Sequence, residues 1–136
     1  LFLFSILLVI GCSKDPEIVW KSKGHNNESI QTLKAAKVAL ENFDKRNRIR
    51  KFNLKKPFIT SNIVLDENNN HKKVFLVAFP KKTKKGWAYA YIPENEEPLS
   101  TGYSIETKEE LINGINNIYS IYKQSIERYQ ENYGFL

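Results

Sequence analysis

Three short stretches constrain the fold more than anything else in this chain: PFITSNIVL (57–65), KVFLVAF (73–79) and GWAYAYI (86–92). Each is dense in β-branched or aromatic residues, which suit a pleated, half-buried surface. The segments between them, DENNNHKK and PKKTKKG, carry turn chemistry, including three asparagines that tolerate positive φ. Gaps this short suit hairpins, so the three strands are expected to run antiparallel as a meander. KVFLVAF is apolar throughout after its lysine and is placed as the central strand. GWAYAYI alternates strictly, setting Trp87, Tyr89 and Tyr91 on one face and Ala88, Ala90 and Ile92 on the other. The alanines admit a close-packed helix. The aromatic face is either a second core layer or an exposed binding surface.

Two helices are expected to flank the meander. Ile30, Leu33, Ala36, Leu40 and Phe43 recur at helical spacing over 28–47, with Asn27 as a cap and Glu28 in the positive first turn. PENEEPLSTG (93–102) reads as an acidic loop bounded by prolines. After it, Thr107 and Glu110 have the spacing of a capping box, opening a helix expected over 108–132. Its apolar positions fall in heptads: Ile112, Tyr119, Ile126 and Tyr133, with Ile115, Tyr122 and Tyr129 between them. Leu111, Ile118 and Ile121 widen the stripe, and Gly114 costs helix propensity but permits close packing. About 25 helical residues span roughly 37 Å, whereas strands of six or seven residues span about 20–23 Å. The Tyr-rich end, with Tyr122 and Tyr129, therefore needs a further partner: the first helix, a second copy in a homodimer, or a binding target. The fold class expected is α+β: helix, three-stranded antiparallel meander, long C-terminal helix, with both helices on the Ala88/Ala90 face.

Ahead of this domain, residues 1–10 (LFLFSILLVI) are apolar apart from Ser5, and are followed by Gly11 and Cys12, the one cysteine of the chain. Ten residues are too few to span a bilayer, which takes about 20, but they suit the apolar region of a secretory signal, here without its basic start. Val9-Ile10-Gly11-Cys12 resembles the lipobox of bacterial lipoproteins. The resemblance implies cleavage before Cys12 and a diacylglyceryl group on its thiol, with further acylation at the new N-terminus. The other reading is an uncleaved N-terminal anchor. Ser13, in place of an aspartate, implies an outer-membrane address in a diderm envelope. Ser13-Lys14-Asp15-Pro16-Glu17 resembles short signals that send some lipoproteins to the cell surface. The organisation expected is a signal peptide over 1–11, a lipidated Cys12 with a tether over 12–28, and a single domain over 29–136. Within the tether, Glu17-Ile18-Val19-Trp20 is expected as an edge strand or a docking contact, the other option being a patch on the membrane interface, which suits Trp20.

The formal charge of +6 is unevenly spread. Residues 34–56 carry +7 and the six lysines from Lys72 to Lys85 add to it, whereas residues 94–136 carry −5. Arg46, Arg48 and Arg50 in KRNRIRKFNLKK, and Lys81, Lys82, Lys84 and Lys85 in the second turn, form either a solvated face or a binding surface for an anionic partner. Export behind a lipid anchor argues against nucleic acid, leaving anionic lipid headgroups, cell-wall polymers or an acidic protein. The two basic segments would meet at one end of the sheet if the strands form hairpins.

No catalytic arrangement is legible. His25 and His71 have neither metal-ligand spacing nor triad partners, no serine sits in a nucleophile elbow, and the six glycines are isolated. Glu94, Glu96 and Glu97 read as a solvated acidic rim. No cofactor or metal is expected. The reading is an envelope lipoprotein acting as a non-catalytic binding module, of the kind that inhibits or neutralises another macromolecule. The alternative is an assembly component held by the Tyr-rich helix.

Overall fold

The computed structural model describes residues 15–43 and 48–119. Two helices, α1 (Pro16–Ser22) and α2 (Asn27–Phe43), are followed by a 3-10 turn, Arg48–Lys51. Four strands then form one sheet: β1 (Phe58–Leu65), β2 (His71–Pro80), β3 (Trp87–Pro93) and β4 (Ser100–Ser104). A third helix, α3, runs from 108 to 119, the last described residue. The strand order is β1-β2-β3-β4, antiparallel throughout, so the expected meander is present with one strand more than the three anticipated.

The extra strand is cut from the Pro-bounded loop and the residues after it. Ser100–Ser104 contains one aromatic and no β-branched residue except Thr101, so its own signal is weak. Pairing creates it: Trp87 stands opposite Ser104 and Tyr91 opposite Ser100. Gly102 faces Tyr89, where an added Cβ would lie 3.2 Å from the Tyr89 hydroxyl.

The helices do not share a face. On one side of the sheet α1 and α2 bury Trp20, Ile30, Leu33, Ala36 and Leu40 against Val77, Phe79, Ala88, Ala90 and Ile92. On the other, Leu111, Ile115, Ile118 and Tyr119 of α3 pack on Val74, Leu76, Ala78 and Tyr91. The expectation of both helices on the Ala88/Ala90 face is thus corrected to a sheet between two helical layers. The reason lies in β2, where every residue from Val74 to Phe79 is buried. A strand apolar on both faces needs both faces covered.

The expected strand at 17–20 is also corrected. Pro16 occupies the first turn of α1, where its missing N–H costs nothing, and the Asp15 carboxylate accepts from the Glu17 N–H at 2.8 Å. This helix turns Trp20 inward until 1% of it is exposed. Its indole Nε1–H donates to the Leu54 carbonyl at 2.8 Å. The stretch expected as tether is therefore folded from Asp15 onward; Cys12 and residues 13–14 lie outside the described residues. For α2 the cap is Asn26 rather than Asn27: its side-chain oxygen accepts from the Ser29 N–H at 2.8 Å. The capping box of α3 forms in both directions, Thr107 N–H to Glu110 Oε1 and Glu110 N–H to Thr107 Oγ1, each at 3.2 Å. The Tyr-rich overhang with Tyr122 and Tyr129 lies outside the described residues.

Candidate functional site

A meander alternates its connections between the two ends of the sheet. The segment entering β1 and the β2–β3 turn share one end; the β1–β2 turn and the β3–β4 loop share the other. These two ends carry opposite charge.

At the first end the two basic segments are joined by backbone hydrogen bonds. Phe52 and Lys81 form an antiparallel bridge. The Lys82 N–H donates to the Lys51 carbonyl at 2.8 Å and the Asn53 N–H to the Pro80 carbonyl at 2.7 Å. Phe52 anchors the join: it is 6% exposed and stacks on Tyr103 with ring centroids 5.1 Å apart. The β2–β3 turn closes where the Lys81 N–H donates to the Gly86 carbonyl at 2.9 Å. Gly86 has φ +147°, and an added Cβ would lie 3.3 Å from the Ser104 carbonyl, so glycine is needed there.

The outcome is a basic pole. Arg48, Arg50, Lys51, Lys55 and Lys56 come from one segment and Lys81, Lys82, Lys84 and Lys85 from the other. All are exposed except Lys81, which is half-buried. No ion pair among the described residues reaches any of them, since the five pairs involve Lys21, Lys34, Lys37, Lys72 and Lys73. Beside them opens a cleft of about 620 Å³ that Pro16, Phe52 and Leu54 share with Arg50, Lys55 and Lys82. Arg46 lies outside the described residues. Lys51, Lys55 and Lys56 were not singled out from sequence, although the same charge run contains them.

The opposite pole is acidic. Asp66 opens the β1–β2 turn, its carboxylate accepting from the Asn68 and Asn70 N–H groups at 2.9 Å each, with Asn69 at φ 62°. The Glu94 N–H donates to the Lys73 carbonyl at 2.9 Å, which brings the β3–β4 loop alongside. Asp66, Glu67, Glu96 and Glu97 thus line one cleft of about 370 Å³. Glu94, Glu96 and Glu97 line a second of about 760 Å³, against Glu28 and Gln31 of α2. Lys72 pairs with Glu96 and Lys73 with Glu28, each at 3.1 Å. Tyr119 borders the smaller cleft. Burial, with Glu96, Glu67 and Asp66 nearby, pushes its phenol up to about 12. Asp66 and Glu67 joined this cluster only through strand pairing.

The aromatic residues of β3 form the second core layer of the two options open to them. Tyr91 is buried, and Trp87 and Tyr89 are half-buried against the α3 cluster. The Tyr91 hydroxyl donates to the Leu111 carbonyl at 2.6 Å. Burial, then Tyr89 and Glu106, pushes that phenol up to about 12.

His25 is half-buried between α1 and α2, and His71 is exposed at the start of β2. Among the described residues no group of three or more His, Cys, Asp or Glu is placed to hold a metal ion. None of the described helices is long and apolar enough to cross a membrane. Comparison with protein-family models, with curated proteins and with solved structures finds no match to this chain.

Proposed function

We propose that the chain is a bacterial envelope lipoprotein, anchored through Cys12, whose domain is a non-catalytic binding module that captures a macromolecular partner. The observation that supports this reading best is the sorting of charge onto opposite ends of the sheet. The cations of the basic pole are held by backbone pairing on the core and form no ion pair among the described residues. Such poles steer association and select partners by sign. The cleft at the basic end sets Arg50, Lys55 and Lys82 beside the apolar Ile49, Phe52 and Leu54, and those at the acidic end are rimmed by Glu94, Glu96 and Glu97. The assembly alternative rests on Tyr122 and Tyr129, outside the described residues.

Two measurements test the two halves. Cys12→Ala is expected to leave an unprocessed precursor; normal cleavage with membrane retention would end the lipoprotein reading. The lipid-free chain from Ser13, immobilised and exposed to native envelope and secreted fractions at low and high salt, is expected to retain one stoichiometric protein in a salt-sensitive way. Lys82→Glu/Lys84→Glu/Lys85→Glu and Glu94→Lys/Glu97→Lys then tell which pole holds it. Self-association alone would favour the assembly reading instead.

A further inference from the structure

Pro16 stands one residue inside the start of the described chain, on the side toward Cys12, and it lines the cleft of the basic pole with Arg50, Lys55 and Lys82. Cys12 is four residues earlier in the sequence. At about 3.6 Å per residue, that stretch reaches at most about 14 Å. A lipid on Cys12 therefore keeps this end of the sheet beside the bilayer, while the acidic pole lies a strand's length farther off. We propose that the basic pole is a second membrane contact, docking on anionic lipid headgroups around the acylated Cys12 and turning the acidic pole outward. The inference rests on the reading of Cys12 as the lipid-bearing residue.

Charge and shape both fit this occupant. The negative potential of an anionic leaflet decays over about 8–10 Å at ordinary ionic strength, so only cations held near the surface feel it. The short reach from Cys12 lets Arg50, Lys55 and Lys82, which line the cleft with Pro16, come within that range. Among the described residues on the side of α1, Asp15 caps α1 and Glu17 pairs with Lys21 and Lys34. Glu106, Glu109 and Glu110 stand at the entry to α3, which packs on the other face of the sheet from α1. The positive surface is thus offset toward the side where the anchor enters. Exposed apolar side chains lie at the same end. Ile105, just past β4, is 89% exposed, and Phe43, packed on Tyr103, is 52% exposed. Such groups suit the headgroup boundary, where an apolar side chain gains burial beside basic ones.

The test uses the acylated chain reconstituted into vesicles of phosphatidylcholine alone, or of phosphatidylcholine with one third phosphatidylglycerol. Lysine acetylation is then read residue by residue by mass spectrometry. In the anionic vesicles Lys51, Lys55, Lys82, Lys84 and Lys85 are expected to label at least about fivefold more slowly, the order of one basic residue's contribution at such a surface. Lys72 and Lys73, at the other pole, are expected to label alike in both. High salt should remove the protection, and Lys82→Glu/Lys84→Glu/Lys85→Glu should remove it from Lys51 and Lys55. The mass of the N-terminal peptide reports the anchor separately. An unmodified Cys12 would overturn the premise. An acylated Cys12 with equal labelling in both vesicles would overturn the docking alone. Protection that requires an added acidic envelope protein rather than phosphatidylglycerol would also overturn it, assigning the pole to a protein.

Discussion

Gly114→Ala should destabilise this protein although it improves a helix. In an exposed helix the change would stabilise by about 1 kcal/mol. Here an added Cβ would stand 2.5 Å from the Tyr91 hydroxyl oxygen and 3.2 Å from its Cζ. Neither side can give cheaply. Tyr91 is 6% exposed, its hydroxyl is bonded to the Leu111 carbonyl at 2.6 Å, and the Tyr89 ring stands 5.5 Å away. Either α3 lifts from the sheet or the phenol leaves its bond. Losing the bond costs about 1–3 kcal/mol, and overpacking a core costs about 1–3 kcal/mol. Set against the propensity gain, either route leaves a net loss of up to about 2 kcal/mol. Tyr91→Phe removes the clashing atom at a cost of about 1 kcal/mol for its hydrogen bond. In that background Gly114→Ala should be near neutral or stabilising, because the nearest remaining atom sits 3.2 Å away. Urea unfolding of the four proteins gives the coupling energy, expected at about 2 kcal/mol. The reasoning fails if Gly114→Ala stabilises the parent by about 1 kcal/mol, or acts equally in both backgrounds.

Three further outcomes are expected. Tyr91 and Tyr119 both hold their protons to about pH 12, against 10 in the unfolded chain. Between those values the unfolded state binds fewer protons, so stability is intact below about pH 10 and falls as pH rises toward 12. Tyr91 alone accounts for about 2–3 kcal/mol of that loss, and Tyr91→Phe should flatten the profile in urea melts from pH 8 to 12. Trp20→Phe keeps most of the buried ring but removes the donor to the Leu54 carbonyl. It should cost about 1–2 kcal/mol and speed amide exchange over 52–56, the segment that carries Lys55 and Lys56 of the basic pole. Thr107→Ala removes one arm of the capping box and should lower stability by about 1 kcal/mol in the same melts.

The strands and the capping box were legible because their signals are local. Alternation in GWAYAYI placed Trp87, Tyr89 and Tyr91 opposite Ala88, Ala90 and Ile92, and the two cores use those faces. α1 was missed because four residues, Glu17 to Trp20, look β-like by composition. What makes them helical is context, namely Pro16, the Asp15 cap and a site beneath Trp20 that exists only once Leu54 is in place. β4 was missed because a short Ser-Thr-Gly edge strand borrows its stability from its neighbour. The two-sided burial of β2 was available in KVFLVAF, whose unbroken apolar run leaves no face for water. The same run that marks the strand as central therefore also calls for a helix on each side of the sheet.

The poles show most plainly how topology turns a linear pattern into a site. Along the chain the connections alternate in sign: basic before β1, acidic between β1 and β2, basic between β2 and β3, acidic between β3 and β4. A meander sends successive connections to opposite ends, so these four connections become a basic pair at one end and an acidic pair at the other, with Glu106, Glu109 and Glu110 following β4 at the basic end. With three strands and an unpaired acidic loop, only the basic end can be anticipated. With the fourth strand, Asp66 and Glu67 are carried to Glu94, Glu96 and Glu97 as the two basic segments are carried to each other. Like charges gathered this way repel, and the fold tolerates them because they sit on exposed turns where water screens them. Lys72 and Lys73 relieve the acidic end through Glu96 and Glu28, whereas the basic end has no such relief among the described residues. The basic pole also borders the cleft lined by Pro16. On charge grounds it is the end that gains most from an anionic surface outside the protein.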